Sequence, residues 1–461
     1  MTSTPARVVV VGGGISGLAA AHALSRLVPL GSVEIEVREG DDRLGGKLKT
    51  SPFAGLSAVD EGADAFLARV PHATELARAV GLADELTSPA SATAAVHSGG
   101  RLHPIPDGLV LGIPAGLRGL AMSGLLSWRG KLRAAAEPLI PARDPDDSVG
   151  TLVRARFGDE VHERLVDALI GTIYAADTDR FSLAMVPQLA GLAARGRSLL
   201  LSARKARRGA PSADGPVFLA PRAGMGALAD AVAAAARAQE VSIRTSAPVT
   251  ELTRDGDRWR VEGEVADAVV LATPAAPTAP LLVTAAPEAG RLLATMDHAG
   301  VAIVTVAVDG WPARLRGYSG YLIPKPDQVD VTAVSFGSQK WAHWRVGRGD
   351  GEREILRVSM GRDGLSVDDL DDDALVDRAV DAVGRHVGLG LQPTATRVSR
   401  WPGSFPQYRP HHLDWLRRLD AALPAGLFVT GASYRGIGVP ACIADAEATA
   451  RAVAGLLHPR V

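Results

Sequence analysis

VVVVGGGISGLAAAHAL, residues 8–24, is the stretch on which the fold turns. Four consecutive valines suit a strand buried on both faces, as in a parallel sheet. Gly12, Gly14 and Gly17 follow in the G-x-G-x-x-G spacing, and a helix is expected over Ser16–Leu30. In that pattern the first glycine permits a tight turn and the second lets a pyrophosphate approach the backbone. The third lets the helix pack close on the sheet. The helix amino terminus then offers its amides to the phosphates. Gly12, Gly13, Gly14, Ile15, Ser16 and Gly17 are thus the expected cradle of a nucleotide. A second strand over Val33–Arg38 completes a βαβ unit and ends at Glu39, where a carboxylate can accept hydrogen bonds from a ribose.

The chain has 461 residues, which favours two or three lobes over a single core. A formal net charge of −1 gives no overall field for nucleic acid, so none is expected as a partner. One cysteine, Cys442, excludes an internal disulfide and any four-cysteine metal or cluster site, and it suits a reducing cytoplasm. The apolar run Val8–Val11 meets glycine too soon for a signal-peptide core. Ala268–Pro287 is uncharged over a membrane-spanning length, but Pro274, Pro277, Pro280 and Pro287 argue against a spanning helix. A cytoplasmic location is expected.

Residues 87–212 read as mostly helical, with proline-rich loops at Pro104–Pro106 and Pro138–Pro145, and RRGAPSADGP (207–216) reads as a linker. A helix over Gly226–Gln239 is followed by short strands around Ser242–Arg244, Val249–Leu252 and Trp259–Glu262, and ADAVVLATP (266–274) reads as a buried strand entering a turn. Strands alternate from Gly300 to Ser399 with one acid-fronted helix near Asp371–Val387, the acids suiting its positive end. The last forty or so residues hold the strand LFVTG (427–431), a glycine-rich turn and a terminal helix. The expected fold is α/β, with a Rossmann-like domain in three pieces (1–86, 213–288, 400–461), an inserted helical lobe (87–212) and a sheet-containing substrate lobe (289–399).

Further stretches carry a resemblance. GDDRLGGKLKT (40–50), VDEGADAF (59–66), SAPVTEL (246–252) and GLFVTGASYRGIGVPACIADAEATARAV (426–453) occur in the order seen in glutathione-reductase-like FAD enzymes, the amine oxidase and protoporphyrinogen oxidase superfamily. RLHPIPDGLVLGIPAG (101–116), IGTIYAADTDRFSLAMVPQLAGL (170–192), LAPRAGMGAL (219–228) and RWPGSFPQYRPHH (400–412) resemble the oxygen-dependent protoporphyrinogen/coproporphyrinogen oxidases, nearest those of Gram-positive bacteria that act on coproporphyrinogen III.

The resemblance implies non-covalent FAD. Gly40, Arg43, Gly46 and Lys47 would lie along the diphosphate and flavin, and Gly62 and Ala63 would pass the ring. Val249 would contact adenine through its backbone, Trp401 would lie beside the flavin, and the turn at Gly431, Gly436, Ile437, Gly438 and Val439 would offer amides to the ribityl chain and pyrimidine edge. The implied reaction removes six hydrogens from a porphyrinogen, with dioxygen reduced to hydrogen peroxide. The flavin carries that chemistry, so no protein catalytic residue is named. The substrate's rim of carboxylates calls for basic residues; Arg69 and His72 are the first candidates, with Tyr174 and Arg409 behind them. Coproporphyrinogen carries four propionates and protoporphyrinogen IX two, so the latter is the alternative substrate; an amine oxidase or a non-catalytic flavin-binding protein are the other readings.

Other features read as structural. His411–His412 lacks companions at metal-ligand spacing, so no metal is expected and a solvated loop pair is. GASYRG has the wrong spacing for a nucleophile elbow. The basic run Arg195–Arg208 reads as a solvated helix face, with docking on an anionic membrane as the alternative, and Leu109–Trp128 reads as lobe core, with a membrane-touching face as the alternative. Nothing in the sequence assigns an oligomeric state.

Overall fold

The computed structural model describes residues 5–91, 93–141, 148–209, 215–347 and 352–457. The valine run becomes the central strand Ala6–Val11 of a five-stranded parallel sheet. The spatial order is Ser242–Arg244, Val33–Arg38, Ala6–Val11, Ala268–Leu271 and Leu427–Val429. Both faces of the central strand are covered, which is why four valines stand in a row. Val8 and Val10 pack with Leu24 and Val453, from the helices Ile15–Leu27 and Val439–Leu457. Val9 and Val11 pack with Trp259 and Leu282 on the other face. Trp259 comes from a three-stranded antiparallel meander, Leu252–Asp255, Arg258–Val261 and Glu264–Ala266. The strand expected over Val249–Leu252 therefore begins only at its last residue. No helix among the described residues is long and apolar enough to cross a membrane.

A seven-stranded sheet forms the second lobe, in the order Pro393–Pro406, His298–Asp309, Arg353–Met360, Val331–Phe336, Tyr318–Leu322, Thr93–Ser98 and Arg101–Pro104. The helix Asp372–Val387 covers one face through Leu375, Ala379 and Val383. Asp371 caps it by accepting the Ala374 amide at 2.8 Å, so the expected acid-fronted helix has a specific cap as well as a favourable dipole.

Two expectations need correction. The stretch from residue 87 opens with strands before its helices, because Thr93–Ser98 and Arg101–Pro104 form a hairpin that extends the large sheet through parallel pairing with Tyr318–Leu322. The boundary expected between 399 and 400 falls inside one long strand, Pro393–Pro406, paired along most of its length with His298–Asp309. Parts of the expected linker (210–214) and of the Pro138–Pro145 loop (142–145) lie outside the described residues.

The helical lobe packs around Val149, Val153, Phe157, Leu165 and Phe181 and includes a π-helical segment, His162–Gly171. It is fastened to the large sheet by a buried ion pair, in which Arg362 meets Asp167 at 2.7 and 2.9 Å. Leu109–Trp128 is only partly core. Ile113, Leu120, Leu125 and Leu126 are buried, whereas Leu117, Met122 and Trp128 are exposed.

Candidate active site

The nucleotide crevice lies where the order of the parallel sheet reverses, at the carboxyl ends of Ala6–Val11 and Ala268–Leu271. Gly12 closes the turn at φ +105° with its amide on the Arg38 carbonyl at 2.8 Å. A Cβ at Gly17 would sit 1.9 Å from the Gly12 carbonyl oxygen, and one at Gly13 would sit 2.9 Å from Glu39 Cβ. Those glycines are small because protein atoms crowd them. Gly14 differs, since a Cβ there would meet nothing within 4 Å and its φ of −70° suits any residue. Leu18 is the first amide bonded into the helix, to the Gly14 carbonyl at 3.0 Å. The Ser16 and Gly17 amides of the first turn have no acceptor among the described residues, while the Ile15 amide is directed at the Gly45 carbonyl through the Gly14–Gly45 bridge.

Glu39 Oε2 accepts the Gly13 amide at 2.6 Å and Oε1 accepts the Asp41 amide at 2.9 Å. Each oxygen retains a lone pair for a further donor such as a ribose hydroxyl. Gly40 abuts Pro248, and half-buried Val249 follows directly, so the expected adenosine-end residues are neighbours. Gly45 and Gly46, both at positive φ, fold against the glycine loop; the Gly45 amide donates to the Gly13 carbonyl at 2.9 Å. Arg43 clamps this turn through the Leu44 and Gly46 carbonyls, at 3.2 and 2.6 Å.

Lys47 is half-buried and donates to the Ser404 carbonyl, and it forms no ion pair among the described residues. Desolvation pulls its ammonium pKa down. An enclosed cation without a counter-ion beside a rim of free amides is the donor set a diphosphate-bearing group requires. The residues present therefore fit a dinucleotide.

At the far end, Trp401 Nε1 donates to the Glu61 carbonyl at 3.0 Å. A Cβ on Gly62 would lie 2.3 Å from the Lys47 carbonyl oxygen and 3.3 Å from the Trp401 ring, so that glycine is fixed by packing, while Ala63 is exposed. The C-terminal turn arrives from the other side. Asp445 Oδ2 takes the Thr430 hydroxyl at 2.8 Å and the Gly431 amide at 3.0 Å, and Gly431 holds φ +127°. Gly438 borders open space, with only Pro440 Cδ near a Cβ, at 3.8 Å, and the helix from Val439 begins there. Ile437 packs against the helical lobe core. Cys442 lies buried behind this turn, its thiol pKa pushed by burial up to about 11, which leaves it unreactive at neutral pH.

The four substrate candidates do not share one environment. Arg69 is exposed and forms no hydrogen bond or ion pair among the described residues. His72 Nδ1 is already engaged by Glu447 at 2.9 Å. Tyr174 bonds the Met185 carbonyl at 3.3 Å and packs on Phe181. Arg409 is doubly committed, to Asp297 at 2.8 Å and to both oxygens of Asp363. His412, expected in a solvated loop, is instead buried, bonded to the Tyr434 carbonyl at 2.7 Å and stacked on Trp415. No group of three or more metal-ligating side chains is arranged to hold an ion among the described residues.

This groove, lined by a helix-end amide rim and glycines open to a ligand, is that of a flavin-dependent oxidoreductase, and the chain belongs to the flavin containing amine oxidoreductase family, whose profile matches residues 15–454. Among curated proteins it is 35% identical to coproporphyrinogen III oxidase of Mycobacterium tuberculosis over 99% of both chains. It is 30% identical to the Bacillus subtilis protein of the same name, over 97% of this chain and 98% of that one. A solved Exiguobacterium structure, provisionally named protoporphyrinogen oxidase, superposes with a TM-score of 0.85 at 29% identity, covering 98% of this chain and 99% of that one.

Residues that the sequence reading left unassigned also shape the site. Gln407 donates to the Ala175 carbonyl at 3.3 Å and Tyr408 to the Ala432 carbonyl, so the Pro-Gln-Tyr motif sutures the helical lobe to the nucleotide domain. Asp445 anchors the C-terminal turn, and its place within the quoted motif was the available signal. Asp64 and Arg357 brace the Gly62–Ala63 segment from beneath.

Proposed function

We propose that this chain oxidises coproporphyrinogen III to coproporphyrin III in porphyrin biosynthesis, using non-covalently held FAD and dioxygen, with protoporphyrinogen IX as the alternative substrate. The observation that carries the reading is full-length likeness, at 30–35% identity, to enzymes named for that reaction. When bound, the flavin would accept hydride from a saturated ring carbon and pass the electrons to dioxygen. The chain's own residues bind and orient. Ser16, Gly17 and Lys47 would hold the diphosphate, Glu39 the ribose, and the Gly62–Ala63 segment and Trp401 would border the ring. Acid precipitation of the yellow holoprotein should leave all its flavin in the supernatant as FAD. Anaerobic coproporphyrinogen III should bleach that flavin, and air should restore it; a flavin that stays yellow under substrate would sink the proposal.

Arg69 is the propionate partner in this reading, since His72 and Arg409 already hold carboxylates of the protein. Arg69→Ala should raise KM for the four-carboxylate substrate more than for the two-carboxylate one, by up to about fivefold, since Arg69 is exposed and such a contact is screened to under about 1 kcal/mol. Equal KM values for wild type and variant on both substrates would return Arg69 to the surface.

The helical lobe also suits contact with an anionic bilayer. Met122 (82% exposed), Leu139 (85%), Trp128 and Leu132 stand out beside Arg118, Arg129 and Lys131, a pairing of apolar and basic groups that favours such a surface. The protein should co-sediment with phosphatidylglycerol vesicles and less with phosphatidylcholine ones, and Trp128→Ser should weaken this. Equal recovery with both lipids would argue against the contact.

A further inference from the structure

The segment Val59–Asp64 is fastened at successive residues. Arg397 donates to the Val59 carbonyl at 3.2 Å, and Asp60 accepts the Met225 amide at 2.7 Å. The Glu61 carboxylate takes the Ser51 and Ser399 hydroxyls, at 2.8 and 3.1 Å, and pairs with Lys49 at 2.9 Å. Beyond that point a single side chain does most of the holding. Arg357, on the strand Arg353–Met360 and only 6% exposed, donates to the Gly62 carbonyl and pairs with Asp64 at 3.2 Å. Asp64 is itself held by Lys340 at 2.7 Å and by the Trp341 indole at 3.2 Å, which makes the anchor rigid.

This grip has a directional consequence. The peptide bonds are trans, so the N–H of residue 63 points away from the carbonyl of residue 62. By drawing the Gly62 carbonyl down toward the sheet, Arg357 turns the Ala63 N–H outward. Ala63 is exposed, and its N–H has no acceptor among the described residues. The donor thus stands ready on the segment assigned to border the flavin.

We propose that Arg357 is a positioning residue that aims the Ala63 N–H at the bound flavin and thereby favours its reduced form. A fixed donor in an enclosed site stabilises the more electron-rich state of its acceptor preferentially. The inference rests on the flavin reading above.

The test is the midpoint potential of the flavin in the intact holoenzyme, measured by equilibration with reference dyes. Arg357→Met removes the grip, and Ala63→Pro removes the N–H itself while leaving Arg357 and Asp64 in place. Each should weaken binding of reduced flavin about tenfold relative to oxidised flavin, a fall of about 30 mV for a two-electron couple. Arg357→Lys, which keeps the charge and one donor, should recover part of that loss. A wild-type potential in Ala63→Pro overturns the proposal whatever Arg357→Met shows, including failure of that variant to fold. If the wild-type protein bound no flavin, the functional reading would fail before this one.

Discussion

Gly17→Ala should purify colourless, with flavin affinity reduced at least about a hundredfold, roughly 2.7 kcal/mol. A Cβ at this position lies 1.9 Å from the Gly12 carbonyl oxygen and 3.1 Å from its carbon, both backbone atoms that cannot swing aside. The helix Ile15–Leu27 must back away from the sheet, taking the amide rim with it. Overpacking of this kind costs about 1–3 kcal/mol of stability, so the flavin-free protein should also melt earlier. Gly14→Ala is the internal control. Its Cβ enters open space at an ordinary φ, so the flavin-free protein should melt as wild type does while flavin binding weakens. Flavin titration and melting curves on the two variants separate close packing from ligand approach. Normal flavin content in Gly17→Ala would mean that the helix does not need its present distance from the turn.

Arg362→Met should destabilise the protein by about 3–5 kcal/mol, the range for breaking a buried ion pair from one side. Asp167 is fully buried, and Arg362 meets both of its oxygens. Without the guanidinium the carboxylate keeps the Thr178 hydroxyl, at 2.5 Å, as a close donor. Arg362 also donates to the Ala176 carbonyl, so its loss frees the turn after the π-helical segment. The double variant Asp167→Leu, Arg362→Met removes the orphaned charge and should regain most of the loss. Denaturant midpoints of the two proteins decide the matter. A double variant no more stable than the single one would show that the loss comes from the bonds Arg362 makes to Asp167 and the Ala176 carbonyl, and not from an orphaned carboxylate.

The nucleotide domain was legible because its determinants are local. A valine run, three spaced glycines and an acid at the end of the next strand need only neighbouring residues to state their purpose. The motif order around residues 40–66 and 426–453 did the same for the cofactor groove. What escaped depended on distant partners. The hairpin Thr93–Pro104 carries a two-glycine turn, Gly99–Gly100, both at positive φ, which is a hairpin signal. Its first strand, however, places Ala94 and Ala95 side by side and lacks clean alternation, and its place at the sheet edge is set by Tyr318–Leu322. His412 looked like half of a solvated pair because nothing nearby reveals that Trp415 and the Tyr434 carbonyl enclose it. Arg357 and Gly62 lie far apart in the chain and meet only because the sheet brings the strand Arg353–Met360 beneath the segment. The substrate candidates show the same limit. A sequence can propose a basic residue, but whether Asp363 or Glu447 has already claimed it is a tertiary fact.

Steady-state oxidation of coproporphyrinogen III and protoporphyrinogen IX, measured side by side in air with porphyrin fluorescence and peroxide followed together, tests the central claim most directly. The account predicts a higher kcat/KM on coproporphyrinogen III, with one hydrogen peroxide formed for each two-electron step. Comparable or faster turnover of protoporphyrinogen IX, or porphyrin formed without peroxide, would contradict it.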